Sequence, residues 1–334
     1  MVRIHDVTLR DGNHACGHSI NPELVRRYCD LAIKAGVDEL EVGHGNGLGA
    51  STLQVGQAKH PDSHNVCLAA ETLNGSRVKL CVFMIPGWGT LDHLESVLAY
   101  KPDIVRVGCH CTEADTTKRY IEYAVSKHVE AHGVLMMSHM ANEHQIVEES
   151  RKMRSYGAKA VIVMDSAGTL TPRQVELCIR ELSADGPTGF HAHNNLGLAV
   201  ANSLVAVDAE IIDCSSRGFG AGAGNAPLEL VAAAFQRAGI TTNLNLDAVL
   251  ALGDFMDAEI PKLGAKRPES DTSSILSGLY GVFSGFKPHV NAAVATYGVE
   301  EKLIWQGLAR RGAVAGQEDL VIDVAREIMN KKEW

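Results

Sequence analysis

The stretch Val2-Arg-Ile-His-Asp-Val-Thr-Leu9, then Arg10-Asp-Gly-Asn-His14, then Asn21-Pro-Glu23 opening a helical face of Leu24, Tyr28, Leu31 and Ala35 closed by Gly36, is one strand–loop–helix unit. Asparagine before proline is a good helix start, because the Asn side chain can accept a free N–H and proline has none to leave unpaired. Glycine just past the last apolar position supplies the stop. A second strand-like run, Glu39–Val42, follows directly.

Six further runs repeat the pattern outward from this unit, at intervals of roughly 25–30 residues. They are Val78–Met84, Ile104–Val107, Val134–Ser138, Ala160–Met164, Thr188–His191 and Glu210–Asp213. Most carry β-branched residues and are nearly continuous in apolar character, as parallel strands buried on both faces are. Helical patterns lie between them. Asn142 with Gln145 has the form of a capping box before Ile146 and Val147, and Thr171-Pro172 opens a helix with Val175, Cys178, Ile179 and Leu182 on one face. Eight β-then-α repeats predict an α/β fold, a (β/α)8 TIM barrel over residues 1–245, with an open doubly wound sheet as the alternative. After about residue 240 the pattern changes. Leu246–Leu263 looks helical, Gly264–Ser274 is polar and turn-rich, and Ala292–Gly312 and Glu318–Ile328 are amphipathic. Residues 246–334 are therefore expected to form a C-terminal helical appendage that either covers the barrel mouth or presents a surface to a partner.

Composition narrows the function classes. A chain of 334 residues with 46% hydrophobic content can bury a large core. Its formal net charge of −9 disfavours nucleic acid or an anionic membrane as partner. The charged, strand-like N-terminus lacks the pattern of a secretory leader, and no apolar run approaches the ~20 residues of a membrane span. The expectation is a soluble cytoplasmic protein. Its eight cysteines then read as reduced thiols, and without a CxxC pair a structural zinc site is disfavoured.

In such a barrel, chemistry collects where strands end and βα loops begin. Strand one runs into Arg10, Asp11 and His14, and strand seven ends in His191-Ala192-His193-Asn194-Asn195. Side chains two apart on a strand face the same way, so His191 and His193 can converge. With Asp11 they make a three-ligand metal set that leaves positions open for substrate; the competing reading is a pair of hydrogen-bonding strand-end histidines. Arg10 serves the site or simply pairs with a carboxylate. Cys109-His110-Cys111 suggests a second metal by spacing, but alternation more readily puts the two cysteines on one face and His110 on the other. The loop Gly218–Asn225 before a helix is either an anion cradle or a tight turn, with Asn225 and Glu229 near enough to serve the site. None of the inferred strand ends carries lysine, so a Schiff-base aldolase lacks its nucleophile. Carbon–carbon lyase chemistry here needs metal and arginine to stabilise an enolate.

DVTLRDGNHA (6–15), EVGHGNGLG (41–49), DSAGT (165–169), HAHNNLGLAVANS (191–203), GFGAGAGNAPLE (218–229) and GQEDLVIDVA (316–325) together resemble the 4-hydroxy-2-oxovalerate aldolases. These are pyruvate class II aldolases of the superfamily that includes 3-hydroxy-3-methylglutaryl-CoA lyase and isopropylmalate synthase. The resemblance implies reversible cleavage of a 4-hydroxy-2-oxo acid to pyruvate, or a related 2-oxo acid, plus an aldehyde. It implies Mn2+, with Mg2+ or Co2+ as substitutes, on Asp11, His191 and His193. It implies that Arg10 stabilises the enolate, that His14 takes the C4 hydroxyl proton, and that Ser166 with the metal-ligand shell holds the 2-oxo acid. It further implies an acylating aldehyde dehydrogenase docked on the C-terminal region.

Three positions depart from the family pattern. Asn13 stands where methionine is common, Asn46 where aspartate is, and Phe283 where a tyrosine hydroxyl normally reaches the site. Tyr280, three residues earlier, is a candidate substitute for that hydroxyl. The rivals are weaker. A Claisen-type acyl-CoA lyase or synthase of the same superfamily would carry a cysteine in its glycine loop. A 2-His-1-carboxylate Fe(II) oxygenase would carry HxD or HxE on a β-sandwich. An amidohydrolase would carry its HxH on strand one with a bridging lysine. A pure scaffold would not need Arg10, Asp11, His14, His191 and His193 together.

Overall fold

The computed structural model describes residues 1–332. Among these, eight parallel strands alternate with eight helices. In order they are β1 (Arg3–Asp6), α1 (Pro22–Ala35), β2 (Glu39–Glu41), α2 (Asp62–Leu73), β3 (Lys79–Met84), α3 (Leu91–Leu98), β4 (Ile104–His110) and α4 (Lys118–Ser126). The second half continues with β5 (Glu130–Met136), α5 (Glu143–Ser155), β6 (Ala160–Asp165), α6 (Pro172–Ser183), β7 (Thr188–Ala192), α7 (Ala199–Val205), β8 (Ile211–Cys214) and α8 (Leu228–Ala238). β1 pairs with both β2 and β8, so the sheet closes on itself and the open-sheet alternative is excluded.

The helix ends are where local chemistry puts them. Asn21 Oδ1 accepts the Leu24 N–H at 2.9 Å, and Asn142 and Gln145 form a reciprocal capping box. Caps of this kind contribute about 1 kcal/mol each. The fifth strand departs from its expected span. It begins at Glu130, four residues before Val134, because its N-terminal half carries Glu130 and His132, which do not read as apolar. His132 is nonetheless fully buried and bonded to Glu130 Oε1 at 2.9 Å.

Five more helices follow: α9 (Leu246–Glu259), α10 (Thr272–Tyr280), α11 (Lys287–Tyr297), α12 (Glu301–Arg310) and α13 (Leu320–Lys332). The continuous amphipathic stretch expected over Ala292–Gly312 is two helices, because Gly298 takes a left-handed conformation (φ 59°) that ends α11. α8 and α9 belong to the barrel core, which reaches Ile260. A second core gathers Phe286, Val290, Ile304, Trp305, Leu308 and Val321 from the last three helices and the turn before them. This helical region sits on the loops that follow the strands. His139 bonds the Gly281 carbonyl at 2.7 Å, Ser270 Oγ donates to Asn194 O at 3.2 Å, and Gln54 Nε2 donates to Gly316 O at 3.0 Å. It therefore covers the barrel mouth. No helix among the described residues is long and apolar enough to cross a membrane.

Candidate active site

The mouth contains a cavity of about 250 Å3 bordered by Arg10, Asp11, His14, Ser166, His193 and Phe283, among others. β1 delivers the first three through a turn of 3-10 helix, Asp11–Cys16, that begins just beyond Arg10. β7 delivers His191 and His193 on one face, as alternation requires, with their Nε2 atoms 3.4 Å apart.

Asp11 is held by three donors. Arg10 Nη1 donates to Oδ1 at 2.5 Å, while Asn225 Nδ2 and the Ala221 N–H donate to Oδ2 at 2.9 and 3.2 Å. The glycine loop is thus packed directly on the carboxylate. A methyl group on Gly220 would come within 2.5 Å of Asp11 Oδ2 and 2.3 Å of Asn225 Nδ2. Of the two readings of this loop, close packing is the one observed, and the anion its Ala221 amide receives is the protein's own. Asn225 serves the site through Asp11. Glu229 instead accepts from Ser216 Oγ at 2.7 Å and the Arg217 N–H at 2.9 Å, anchoring the turn.

Burial pushes the Asp11 carboxyl up, but Arg10 and His193 outweigh it and hold the group well below the usual carboxylate range. Burial lowers His193 to about 3 against the pull of Asp11, so its imidazole is neutral. His191 Nδ1 lies 3.0 Å from Asp213 Oδ2, and with the proton on Nδ1 the Nε2 lone pair is free. The donor atoms of Asp11, His191 and His193 all lie within 4.8 Å of one another. Two imidazoles and an ionised carboxylate converging at this range, with a carboxylate behind one imidazole, fit a divalent cation.

Arg10 is buried and fully ordered by its partners. Nε donates to Glu41 Oε1 at 2.6 Å, and the guanidinium carbon lies 4.8 Å from the centre of the Phe83 ring. Nη2 is buried without a partner. A guanidinium on the cavity wall with one unused nitrogen is a ready donor to an anionic oxygen. Ser166 Oγ accepts the Met137 N–H at 3.0 Å, which leaves its own proton available. His14 is half-buried between Asp11 and Gly45 and faces the cavity. No lysine borders this cavity among the described residues.

Phe283 forms part of the cavity wall. Tyr280 does not replace the missing hydroxyl: its oxygen accepts from Gln306 Nε2 at 2.9 Å inside the helical region, three residues back on α10 and away from the cavity. Asn13 is a structural pin, donating to Gly43 O at 2.8 Å. Asn46 borders the cavity. Cys109-His110-Cys111 forms no ligand cluster among the described residues; Cys111 Sγ donates to Met137 O, and His110 Nδ1 pairs with Thr112.

Reading by motif missed Glu41, Arg106 and Asp213, which stand behind the site. A signal was present. Each is a charged residue inside a strand whose neighbours are apolar, and a charge buried on such a strand has to be paired.

The HMGL-like family profile matches residues 1–256, and the DmpG-like communication domain matches residues 268–330. The chain is 46% identical over 328 residues to the 4-hydroxy-2-oxovalerate aldolase of Streptomyces tendae, covering 97% of this chain and 90% of that protein. It is 45% identical over 331 residues to the 4-hydroxy-2-oxovalerate aldolase of Serratia proteamaculans, covering 98% of each. Among solved structures it is similar in fold to the carboxyl transferase domain of Rhizobium etli pyruvate carboxylase. That match has a TM-score of 0.82 at 14% identity and covers 99% of this chain and 60% of the other. A barrel profile over residues 1–256 and 46% identity to a relative across nearly the whole chain place it plainly: the chain belongs to the 4-hydroxy-2-oxovalerate aldolase family of carbon–carbon lyases.

Proposed function

We propose that Asp11, His191 and His193 hold a divalent cation, Mn2+ first with Mg2+ or Co2+ as substitutes. Beside it, the chain cleaves a 4-hydroxy-2-oxo acid of the 4-hydroxy-2-oxovalerate type to pyruvate, or a related 2-oxo acid, and an aldehyde. The observation that carries this reading is the convergence of those three donors within 4.8 Å, beside a buried arginine whose Nη2 has no partner. A divalent cation held there supplies Lewis acidity toward the 2-oxo and carboxylate oxygens of the substrate.

The remaining steps belong to the chain's own groups. Arg10 presents Nη2 to the oxygen that gains negative charge, and the Ser166 hydroxyl donates to the 2-oxo acid. His14 takes the proton from the C4 hydroxyl. The electrons of that O–H bond form the aldehyde carbonyl, the C3–C4 bond breaks, and its electron pair passes through C2 to the oxygen faced by Arg10. A proton returned to C3 completes the 2-oxo acid. Phe283 and Trp88 close the cavity with apolar surface and keep water from the carbanionic carbon.

The region matching the communication domain supports a second part of the reading: an acylating aldehyde dehydrogenase docks on the helical region and consumes the aldehyde. The main test incubates the protein with Mn2+ and 4-hydroxy-2-oxo acids of varied chain length, and couples pyruvate release to lactate dehydrogenase. Metal-dependent release is expected, and no release from any of them would refute the reading. Asp11→Asn and His193→Ala should each lose bound metal as well as activity. Retained metal in both would refute the ligand set.

A further inference from the structure

Six buried side chains form a ring that runs from the cavity wall into the barrel: Asp11, Arg10, Glu41, Arg106, Asp213 and His191. From Asp11 the ring passes to Arg10, and Arg10 Nε then bonds Glu41 Oε1 at 2.6 Å. Glu41 Oε2 lies 3.6 Å from Arg106 Nη1. Arg106 grips Asp213 with both terminal nitrogens, Nη1 to Oδ2 at 2.8 Å and Nη2 to Oδ1 at 3.1 Å. Asp213 meets His191 Nδ1, and His191 closes on His193 and Asp11 at the ligand cluster. Arg106 does not line the cavity, and it meets His191 only through the shared Asp213 Oδ2. It is the link between the arm that orients Arg10 and the arm that orients His191.

We propose that Arg106 is a positioning residue. Its fork holds Asp213, the carboxylate partner of the proposed metal-ligand histidine, and its charge lies 3.6 Å from Glu41, the carboxylate partner of the oxyanion arginine, so the two are set in fixed relation. Barrel interiors of this kind are usually filled by branched apolar side chains, and a buried ionic group is seldom the most stabilising filling. Here β2, β4 and β8 give inward positions to Glu41, Arg106 and Asp213, and the result is orientation. Asp213 turns His191 so that Nε2 faces the ligand cluster, and Glu41 takes Arg10 Nε so that Nη2 is left for substrate. A single ammonium cannot make both Asp213 contacts, so lysine at this position keeps the charge and loses the geometry.

The inference rests on the metal reading proposed above, and its test separates the two. Metal-depleted parent, Arg106→Lys, Asp213→Asn and the double variant are titrated calorimetrically with Mn2+ alone, then with oxalate at saturating Mn2+; thermal melts check folding. In Arg106→Lys, Mn2+ affinity should fall about 10- to 100-fold, and oxalate affinity about tenfold. In the double variant, Mn2+ affinity should match Asp213→Asn alone, because Arg106 acts on the metal through Asp213. Oxalate affinity should still fall further, through the Glu41 arm. General loosening would instead give additive losses in both. If Arg106→Lys does not fold, Arg106→Gln with Asp213→Asn, which leaves neither of that pair as an unmatched charge, is compared with Asp213→Asn in the same two titrations. Mn2+ affinity within twofold of the parent in folded Arg106→Lys overturns the proposal, as does Mn2+ affinity in either double variant clearly below that of Asp213→Asn alone. A parent that binds no Mn2+ overturns the metal reading as well.

Discussion

At His14, burial strips water from the imidazolium and outweighs the opposing pull of Asp11, while Arg10 adds a like charge; the pKa falls from the ordinary 6.5 to about 4. A base must be neutral to accept a proton. Lowering its pKa therefore extends the competent form toward acid, at some cost in basicity. The expected kcat/KM profile is flat through neutral pH, with an acid limb below 6.5 as His14 takes up a proton. An acid limb with a midpoint above 6.5 would contradict the assignment. His14→Ala should lower kcat about 10²- to 10⁴-fold while leaving Mn2+ occupancy unchanged, measured by metal analysis after gel filtration. Lost metal in that variant would make His14 a ligand instead of the base. Phe283 marks the other limit at this scale, since its ring adds surface to the cavity wall without a donor.

Among elements, the glycine loop after β8 has the narrowest tolerance. Its backbone packs against Asp11 from the side opposite Arg10, and Gly220 has no room for even a methyl group there. Gly220→Ala should displace either Asp11 or Asn225, with the fold kept by the barrel around it. The expected result is Mn2+ affinity reduced about 10- to 100-fold, by analogy with loss of a group that orients a ligand, with little change in the circular dichroism spectrum. Unchanged Mn2+ affinity would mean that Asp11 does not need the loop. β7 and β8 act as a pair for a similar reason. His191 and Asp213 are registered neighbours, and side chains of neighbours in a parallel sheet share a face, so the proposed metal ligand and its carboxylate partner come together by register.

For the whole molecule, the buried charges predict how stability depends on pH. Asp11, Glu41 and Asp213 have folded pKa values held below the ordinary carboxylate range. Their contribution is present above the unfolded value, near 4, and is lost as pH falls toward the folded one. His14, His18 and His193 are lowered from 6.5 to about 4, 3 and 3, chiefly by burial. Below pH 6.5 the unfolded chain takes up protons that the folded chain does not, so these groups also favour unfolding as pH falls. His5 runs the other way. Burial and Arg106 pull it down, but Asp213, Cys81 and Glu39 outweigh them, so its contribution is fully present at low pH and is lost as pH rises through its folded pKa. His44, His132 and His139 are lowered as well, while Asp6, Asp62 and Asp165, raised chiefly by burial, act with His5. Six lowered histidines and the lowered carboxylates outnumber these, so the urea midpoint of the metal-free protein is expected to decline below pH 6.5, and more steeply below 4. A midpoint that rises between pH 6.5 and 4 would contradict this balance.

The barrel was legible in the chain because its causes are local. Asn21-Pro22, Gly36, Asn142 with Gln145 and Thr171-Pro172 mark helix ends through their own backbone chemistry, and buried parallel strands need apolar runs that show in any window. The placement of Arg10, Asp11, His191 and His193 at strand ends was readable for the same reason, since alternation along a strand is a property of the strand. Other features were settled only by tertiary contact. Whether the glycine loop bound an anion or packed tightly depended on where Asp11 lay, 210 residues away from the Ala221 amide it accepts. Whether Tyr280 replaced the hydroxyl missing at Phe283 depended on the turn of α10 toward Gln306. Glu41, Arg106 and Asp213 lie in three separate strands, and only closure of the sheet brings them into one ring. The sequence by itself determined the barrel and which polar side chains stand at its strand ends, because those follow from short-range periodicity and caps. Only the tertiary structure decided how the charges pair and which groups reach the cavity, because a buried charge is defined by partners that closure of the barrel brings from distant strands.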